Sequence, residues 1–282
     1  MNELQKKQLE ILKEFIRVCE KHHLTYWLIG GSALGAARHQ GFIPWDDDID
    51  VGMPRKDYEE YLKLQYEYDG TPYFIQSWRS DPRYMYTFSK LRDSSTTYIE
   101  SFWACHHCNH GVWVDIFPFD GLGNKVKPRE KYANRLRWTY PTIFLTYLGS
   151  LFRPFHKKTF FKDLGLNIVA CLFWIWNPFH LWQHVLEHRE KKYDFETSPV
   201  VGHFYAFNVK KEALPRDLLN EFVDLPFEDI MAKVPKDYDK YLTLIFGDWR
   251  KLPPEDQREG HHKNAGYSLT QGYKEYILEH KL

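Results

Sequence analysis

The chain has 282 residues, with 38 basic side chains balanced by 38 acidic ones and a formal net charge of zero. That balance argues against a protein held to nucleic acid by bulk charge, and 43% hydrophobic with 27% charged residues excludes long disorder and collagen-like repeats. Aromatic residues reach 17%, enough for a stiff core and for rings left over for stacking.

Taken in chain order, residues 1–24 read as an amphipathic helix with Leu4, Leu9, Leu12, Phe15, Ile16 and Cys19 on one side, and with no secretory signal. Tyr26–Ile29 reads as a short buried strand broken by Gly30-Gly31, after which Ser32 caps a helix over 33–39. Pro44 releases the chain into a second strand, Asp46–Val51, and Asp57–Tyr68 is a further helix. Strands are expected around 73–77, 84–91 and 112–117. Residues 127–193 are helical in pattern and rich in Trp, Phe, Leu and Lys; beyond 200, short strands and helices alternate with turns at Leu214-Pro215, Leu225-Pro226 and Pro253-Pro254. The expected fold is α+β with an α/β-type mixed sheet: a core over 1–126, a helical insertion over 127–195, and a segment over 196–282 packing back on the core.

The most apolar stretch, 164–182, is interrupted by Asn167 and Asn177-Pro178. Its clean run is about half of the roughly 20 residues a spanning helix needs, so it reads as a buried or interfacial helix. Arg153, Lys157, Lys158 and Lys162 among Phe and Leu suit contact with an anionic membrane surface, the alternative being a helical hairpin packed on its own domain. Four cysteines, at 19, 105, 108 and 171, make no disulfide scaffold. A cytoplasmic location, peripheral at the inner membrane face if the basic segment docks there, is the expectation.

The chemistry concentrates in Trp45-Asp-Asp-Asp-Ile-Asp-Val51. On a strand, Asp46, Asp48 and Asp50 share one face, and residues two apart are about 6–7 Å apart. Carboxylates so close are costly unless a cation neutralises them, and Mg²⁺ or Mn²⁺ is the natural partner. A solvated acidic turn is the alternative, but Ile49 and Val51 alternate with the acids as in a half-buried strand. Upstream, Gly30-Gly31-Ser32 lies between a strand and a helix, where free N–H groups and the helix dipole favour an anion. Gly30 and Gly35 have the spacing of a Walker A loop, but Ala36-Ala37 stand where Lys-Ser/Thr is required. An anion cradle beside a metal clamp points to metal-assisted phosphoryl or nucleotidyl transfer.

Lys90 and Arg92 share a face if 86–92 is a strand, and either suits a phosphate, as does Arg38 at the end of the cradle helix; solvated strand-end charges, and a cation at a helix C-terminus, are the structural alternatives. Cys105-His-His-Cys108 with His110 has a spacing that structural Zn²⁺ accepts, with a fourth ligand such as His203, against a reduced loop with free thiols. His261 and His262 are candidates for a general base on the acceptor hydroxyl. The aromatic excess suits a cage for a quaternary ammonium, with Trp78, Trp103 and Trp113 nearest the motifs.

The pairing of a Gly-Gly-Ser turn with an Asp-x-Asp strand resembles the nucleotidyltransferase superfold. More specifically, Leu28-Ile-Gly-Gly-Ser-Ala-Leu-Gly35, Phe42-Ile-Pro-Trp-Asp-Asp-Asp-Ile-Asp-Val-Gly-Met-Pro-Arg55, Lys90-Leu-Arg-Asp-Ser94, Val114-Asp-Ile-Phe-Pro-Phe-Asp-Gly121 and Phe246-Gly-Asp-Trp-Arg-Lys-Leu-Pro-Pro-Glu255 followed by His261-His262 resemble the LicD family, related to fukutin and fukutin-related protein. The resemblance implies transfer of a phospho-alcohol, phosphocholine from CDP-choline or another CDP-alcohol, onto a hydroxyl of a cell-surface glycan or glycolipid such as a lipopolysaccharide or teichoic acid, releasing CMP. It implies Asp48 and Asp50 as metal ligands, Asp46 as a further ligand or base, and Asp115 as the third carboxylate, with Asp120 a turn residue. Gly30, Gly31 and Ser32 would hold the diphosphate. Nucleotidyl transfer from a nucleoside triphosphate, and a non-catalytic glycan-binding relative, are the other readings.

Overall fold

Asn2 and Gln5 cap the first helix reciprocally, each side chain accepting the other's backbone N–H. Helix α1 (Glu3–Lys21) buries Leu9, Leu12, Phe15 and Cys19, with Leu4 and Ile16 half-buried beside them. The computed structural model describes residues 1–81, 83–101, 108–123, 160–175, 179–205, 212–260 and 262–280. Numbering the described elements in chain order, β1 (Trp27–Leu28), α2 (Gly30–His39), β2 (Asp50–Pro54), α3 (Arg55–Tyr61), β3 (Tyr73–Gln76), β4 (Ser89–Asp93), β5 (Thr97–Glu100) and β6 (Val112–Gly121) precede α4 (Phe160–Ile175) and α5 (Phe179–Glu190). There follow β7 (Val200–Gly202), β8 (Leu214–Pro215), β9 (Phe222–Phe227), β10 (Ile230–Pro235), α6 (Tyr238–Phe246), β11 (Asn264–Ser268) and α7 (Tyr273–His280).

The main sheet runs β1-β2-β6-β4-β3, with β7 and β8 added on β6. Among the described residues only the β2–β6 pairing of this sheet is parallel; β1–β2, β4–β6, β3–β4, β6–β7 and β7–β8 are antiparallel. This is the mixed sheet of an α+β fold. Strand β6 is its spine, buried along nearly all its length. Its Ile116, Pro118 and Asp120 alternate with Asp115, Phe117 and Phe119, so the two sets face opposite sides of the sheet. Phe15 of α1 packs edge-on to Tyr61 of α3, closing the helical layer on one face.

Several expectations shift. The acidic segment becomes a strand only at Asp50; residues 46–49 lead into it without ladder pairing. Ile29 rather than Ser32 is the N-cap of α2, because the helix already begins at Gly30. The helix expected over 57–68 ends at Tyr61 and resumes as a 3₁₀ turn over Gln65–Tyr68. The strand expected from 84 starts at Ser89. Leu214-Pro215 and Leu225-Pro226 are not turns but lie in β8 and β9. Both strands pair on one side only, where proline's missing N–H is tolerated.

Asp120 is also not a turn residue. It sits in β6, 1% exposed, and takes a two-pronged ion pair from Arg55 (Nε–Oδ1 2.8 Å, Nη2–Oδ2 2.5 Å). Glu190 of α5 joins from 3.4 Å and also accepts from the Thr87 hydroxyl at 2.6 Å. Burial pushes Glu190 up to about 7 even with Arg55 beside it. This charged cluster ties α5 to the sheet.

In the apolar 164–182 region, α4 leaves Leu164 37% and Ile168 53% exposed. No helix among the described residues is long and apolar enough to cross a membrane.

Candidate active site

Asp50 opens β2 directly opposite Asp115 in the parallel register, and Lys90 stands opposite Asp115 in the antiparallel one. Three adjacent strands therefore line up two carboxylates and an ammonium across the sheet. Lys90 Nζ lies 2.9 Å from Asp115 Oδ1 and 4.1 Å over the Trp113 ring. The Trp113 indole N–H donates to Asp115 Oδ2 at 2.7 Å. Asp115 is thus held from two sides while only 4% exposed.

Asp48 completes the group. One carboxylate oxygen from each of Asp48, Asp50 and Asp115 lies within 4.8 Å of the others. Burial, then the charge of Asp46, pushes Asp48 up to about 8. Burial, then Asp48 and Asp115, holds Asp50 well above the usual carboxylate range. Three acids this close repel one another unless protons or a cation share the charge. Hard oxygen donors converging within one ion's reach fit a divalent cation of the Mg²⁺ or Mn²⁺ type.

A helix far away in sequence holds the acidic segment in place. Gln5 Nε2 donates to the Asp46 carbonyl at 2.9 Å, and Gln8 Nε2 to the Asp47 carbonyl at 2.7 Å. Both glutamines are buried, and the bonds they make hold the backbone of Asp46 and Asp47, ahead of the Ile49 carbonyl that already accepts the Asp115 N–H at 2.8 Å. Sequence reading missed them; the available signal was two amides on the buried side of α1. On the other flank, Gly30 has φ +51°, a left-handed conformation natural to glycine. Its N–H donates to the Tyr241 hydroxyl at 3.0 Å. A Cβ on Gly31 would come within 2.7 Å of Asp46 Oδ2, so only glycine lets the helix start approach the acids. Ser32 Oγ accepts the Asp50 N–H at 2.9 Å, which makes it a support of the acid strand rather than a helix cap.

One cleft of about 450 Å³ is lined by Asp46, Asp48 and Asp50 with Gly30 and Gly31, and also by aromatic rings and Glu212. Asp47 points elsewhere, as alternation predicts. It accepts the His262 backbone N–H at 2.9 Å and lies 3.0 Å from His262 Nδ1, which is 3.7 Å from Asp48. Burial opposes a charge on His262, but the Asp47 hydrogen bond and the Asp48 charge outweigh it and raise the imidazole to about 9. In this pairing the imidazole is a counter-charge to the acids. Asp47, Asp48 and His262 form a second group with ligand-type spacing.

The remaining candidates separate. Arg92 donates to Gln76 Oε1 at 2.7 Å and to the Gly111 carbonyl at 2.6 Å, which makes it a buried brace of β4. Arg38 donates to the Trp249 carbonyl at 2.9 Å, tying α2 to the segment after α6. Cys105 and His261 lie outside the described residues. Cys108 Sγ is 3.9 Å from His110 Nε2, and burial pushes the thiol up to about 12. His203 pairs instead with Glu212 at 3.0 Å, and both line the cleft. The tryptophans expected near a cage are otherwise engaged: Lys90 and Arg92 lie over Trp113, and Arg79 over Trp78. Trp103 lies outside the described residues.

Comparison with known proteins fits this geometry. Residues 23–161 match the LicD/FKTN/FKRP nucleotidyltransferase domain. The chain is 28% identical over 266 residues to the lipopolysaccharide cholinephosphotransferase LicD of Haemophilus influenzae, covering 93% of this chain and 95% of that protein. An uncharacterized protein of Rickettsia prowazekii is 31% identical over 178 residues, 54% of this chain and 64% of that one. The ribitol 5-phosphate transferase FKRP of Homo sapiens is 48% identical over 48 residues, 17% of this chain and 10% of FKRP. With the acids, the glycine turn and the mixed sheet arranged as described, residues 23–161 are a nucleotidyltransferase domain of the LicD/FKTN/FKRP type, and the chain is similar to LicD over nearly its whole length.

Proposed function

We propose that the protein is a metal-dependent phosphotransferase that moves a phospho-alcohol, phosphocholine from CDP-choline, onto a hydroxyl of a cell-surface glycan and releases CMP. The observation that carries this reading is the convergence of Asp48, Asp50 and Asp115 within 4.8 Å at the mouth of a helix that begins on Gly30-Gly31. The near full-length similarity to a lipopolysaccharide cholinephosphotransferase supplies the substrate class, and the FKRP match supports the same chemistry with a different alcohol.

In the balanced reaction, the acceptor oxygen forms a bond to the phosphorus that carries the alcohol. The bond from that phosphorus to the CMP bridging oxygen breaks, CMP leaves with the electron pair, and the hydroxyl proton passes to a base. Asp48, Asp50 and Asp115 would hold Mg²⁺ or Mn²⁺, which when bound neutralises charge on the phosphates and on departing CMP. The backbone around Gly30 and Gly31 aligns the diphosphate at the positive end of α2. Asp46, on the same cleft wall but outside the triad, accepts the proton of the acceptor hydroxyl. Lys90 and the Trp113 indole hold Asp115 in place beside Asp48 and Asp50, and His262 with Asp47 offsets the charge of Asp48.

Incubating the protein with CDP-choline, a lipopolysaccharide or teichoic acid acceptor and Mg²⁺ or Mn²⁺ should yield CMP and a phosphodiester on the glycan, and the Asp50→Ala variant should yield neither. Pyrophosphate release from a nucleoside triphosphate in place of CMP would assign nucleotidyl transfer instead. Turnover of no CDP-alcohol would refute the enzymatic reading.

A further inference from the structure

The cleft holding the acids is also lined by groups of different chemistry, the Phe117, Phe119, Tyr205 and Tyr241 rings and Glu212. Side chains alternate along β6, so Phe117 projects from the same face as Asp115, one strand repeat of about 6–7 Å away. Phe117 stacks on Phe88 with ring centroids 4.5 Å apart, and Tyr205 stands edge-on to Phe88 at 4.6 Å. The Tyr205 hydroxyl accepts the Thr87 backbone N–H at 2.6 Å and lies 2.7 Å from its Oγ. That anchorage sets the orientation of the ring, which lines the cleft. Glu212 lines it too, its carboxylate 3.0 Å from His203 Nε2. Among the described residues lining this cleft there are four carboxylates, those of Asp46, Asp48, Asp50 and Glu212, and no Lys or Arg.

Such a cleft favours cations. A divalent ion answers the three clustered acids, but Glu212 belongs to neither ligand-spaced group of acids among the described residues and shares the cleft with aromatic rings. Aromatic faces attract an organic cation through their quadrupoles, and a carboxylate in a partly enclosed apolar setting acts on it more strongly than in water. A neutral polyol would gain nothing from the ring quadrupoles, and any of its hydroxyls laid against the Phe117 and Phe119 rings would be left unpaired. We propose that Phe117, Tyr205 and Glu212 form the subsite that selects the transferred alcohol, and that it takes an amino alcohol through its ammonium group. This rests on reading the cleft as the site of phospho-alcohol transfer. The phosphate would lie toward Asp115 and the ammonium toward Phe117, one strand repeat apart along β6.

The test compares kcat/KM for CDP-choline and CDP-glycerol in the wild type, Glu212→Gln and Phe117→Leu, with free choline binding measured by calorimetry on the same proteins. The wild type should favour CDP-choline at least about tenfold, and each variant should lower that ratio about tenfold. A wild-type ratio near one, or a ratio unchanged in both variants, overturns the subsite. CMP released from CDP-glycerol alone would retain phospho-alcohol transfer and overturn the subsite. Glu212-dependent choline binding with no CMP from either donor would retain the subsite and overturn the transfer reading.

Discussion

Asp50 and Asp115 face each other across the parallel β2–β6 pairing of the main sheet. Because side chains in register on neighbouring strands point to the same face, the pairing forces two carboxylates together where an apolar or oppositely charged pair would be more stable. Asp48 is added from the irregular segment before β2, and the result is a site under electrostatic stress that protons or a bound cation would relieve.

That stress gives opposite effects on activity and stability. Asp48→Asn should lower kcat by on the order of a thousandfold, as loss of a charge-stabilising group does. The melting temperature of the metal-free protein should hold or rise by a few degrees. Differential scanning calorimetry beside a CMP-release assay checks both, and a variant that fails to fold would make Asp48 a structural residue.

The pH dependence follows with a definite sign. Burial, then the charge of Asp46, pushes Asp48 up to about 8 from the ordinary 3.8, so the folded state binds its proton more tightly than the unfolded one. Stability from this group is complete below about pH 4 and is lost as pH rises through 8. Metal-free protein should therefore melt lower at pH 8 than at pH 6, other groups being equal. Mn²⁺ or Mg²⁺ should restore most at the higher pH, and binding at pH 7 should release protons. Calorimetric titration in two buffers of different ionisation enthalpy measures that release; none would mean the acids are already ionised.

Gly31→Ala separates geometry from stability. The new Cβ would meet Asp46 Oδ2 at 2.7 Å, so the carboxylate must move. Activity should fall about a hundredfold, the scale on which a 1 Å misplacement acts, with little change in melting temperature. Steady-state kinetics beside a thermal melt tests the pair of outcomes.

Gln8→Leu removes the donor to the Asp47 carbonyl while keeping the volume of a buried side chain. Leaving that carbonyl unpaired should cost about 1–3 kcal/mol and loosen the acidic segment, so the Mn²⁺ dissociation constant should rise severalfold. Metal affinity unchanged at lowered stability would limit Gln8 to a packing role.

Arg55→Ala should be among the most destabilising single changes, at about 3–5 kcal/mol, because Asp120 and Glu190 would lose their shared buried cation. Urea unfolding measures it. A loss below about 1 kcal/mol would mean that the cluster is solvated and that α5 is held to the sheet by other contacts.

The acids, the glycine turn and the sheet carrying them were legible because each leaves a local trace: alternation of Asp with Ile and Val, a Gly-Gly pair between strand and helix, an apolar run around Asp115. Alternation even separated Asp46, Asp48 and Asp50 from Asp47 although no strand forms before Asp50. Roles set by distant partners left no such trace. Nothing near Asp120 announces Arg55, which is why a buried ion pair looked like a turn. Nothing near Arg38 or Arg92 announces the Trp249 and Gly111 carbonyls that engage them, and nothing near His262 foretells its pairing with Asp47. Spacing along the chain decides which side chains share a face, since backbone geometry repeats every two residues in a strand. Which faces then meet is decided by packing between segments hundreds of residues apart, and that is where the cleft acquires Tyr241, Tyr205 and Glu212.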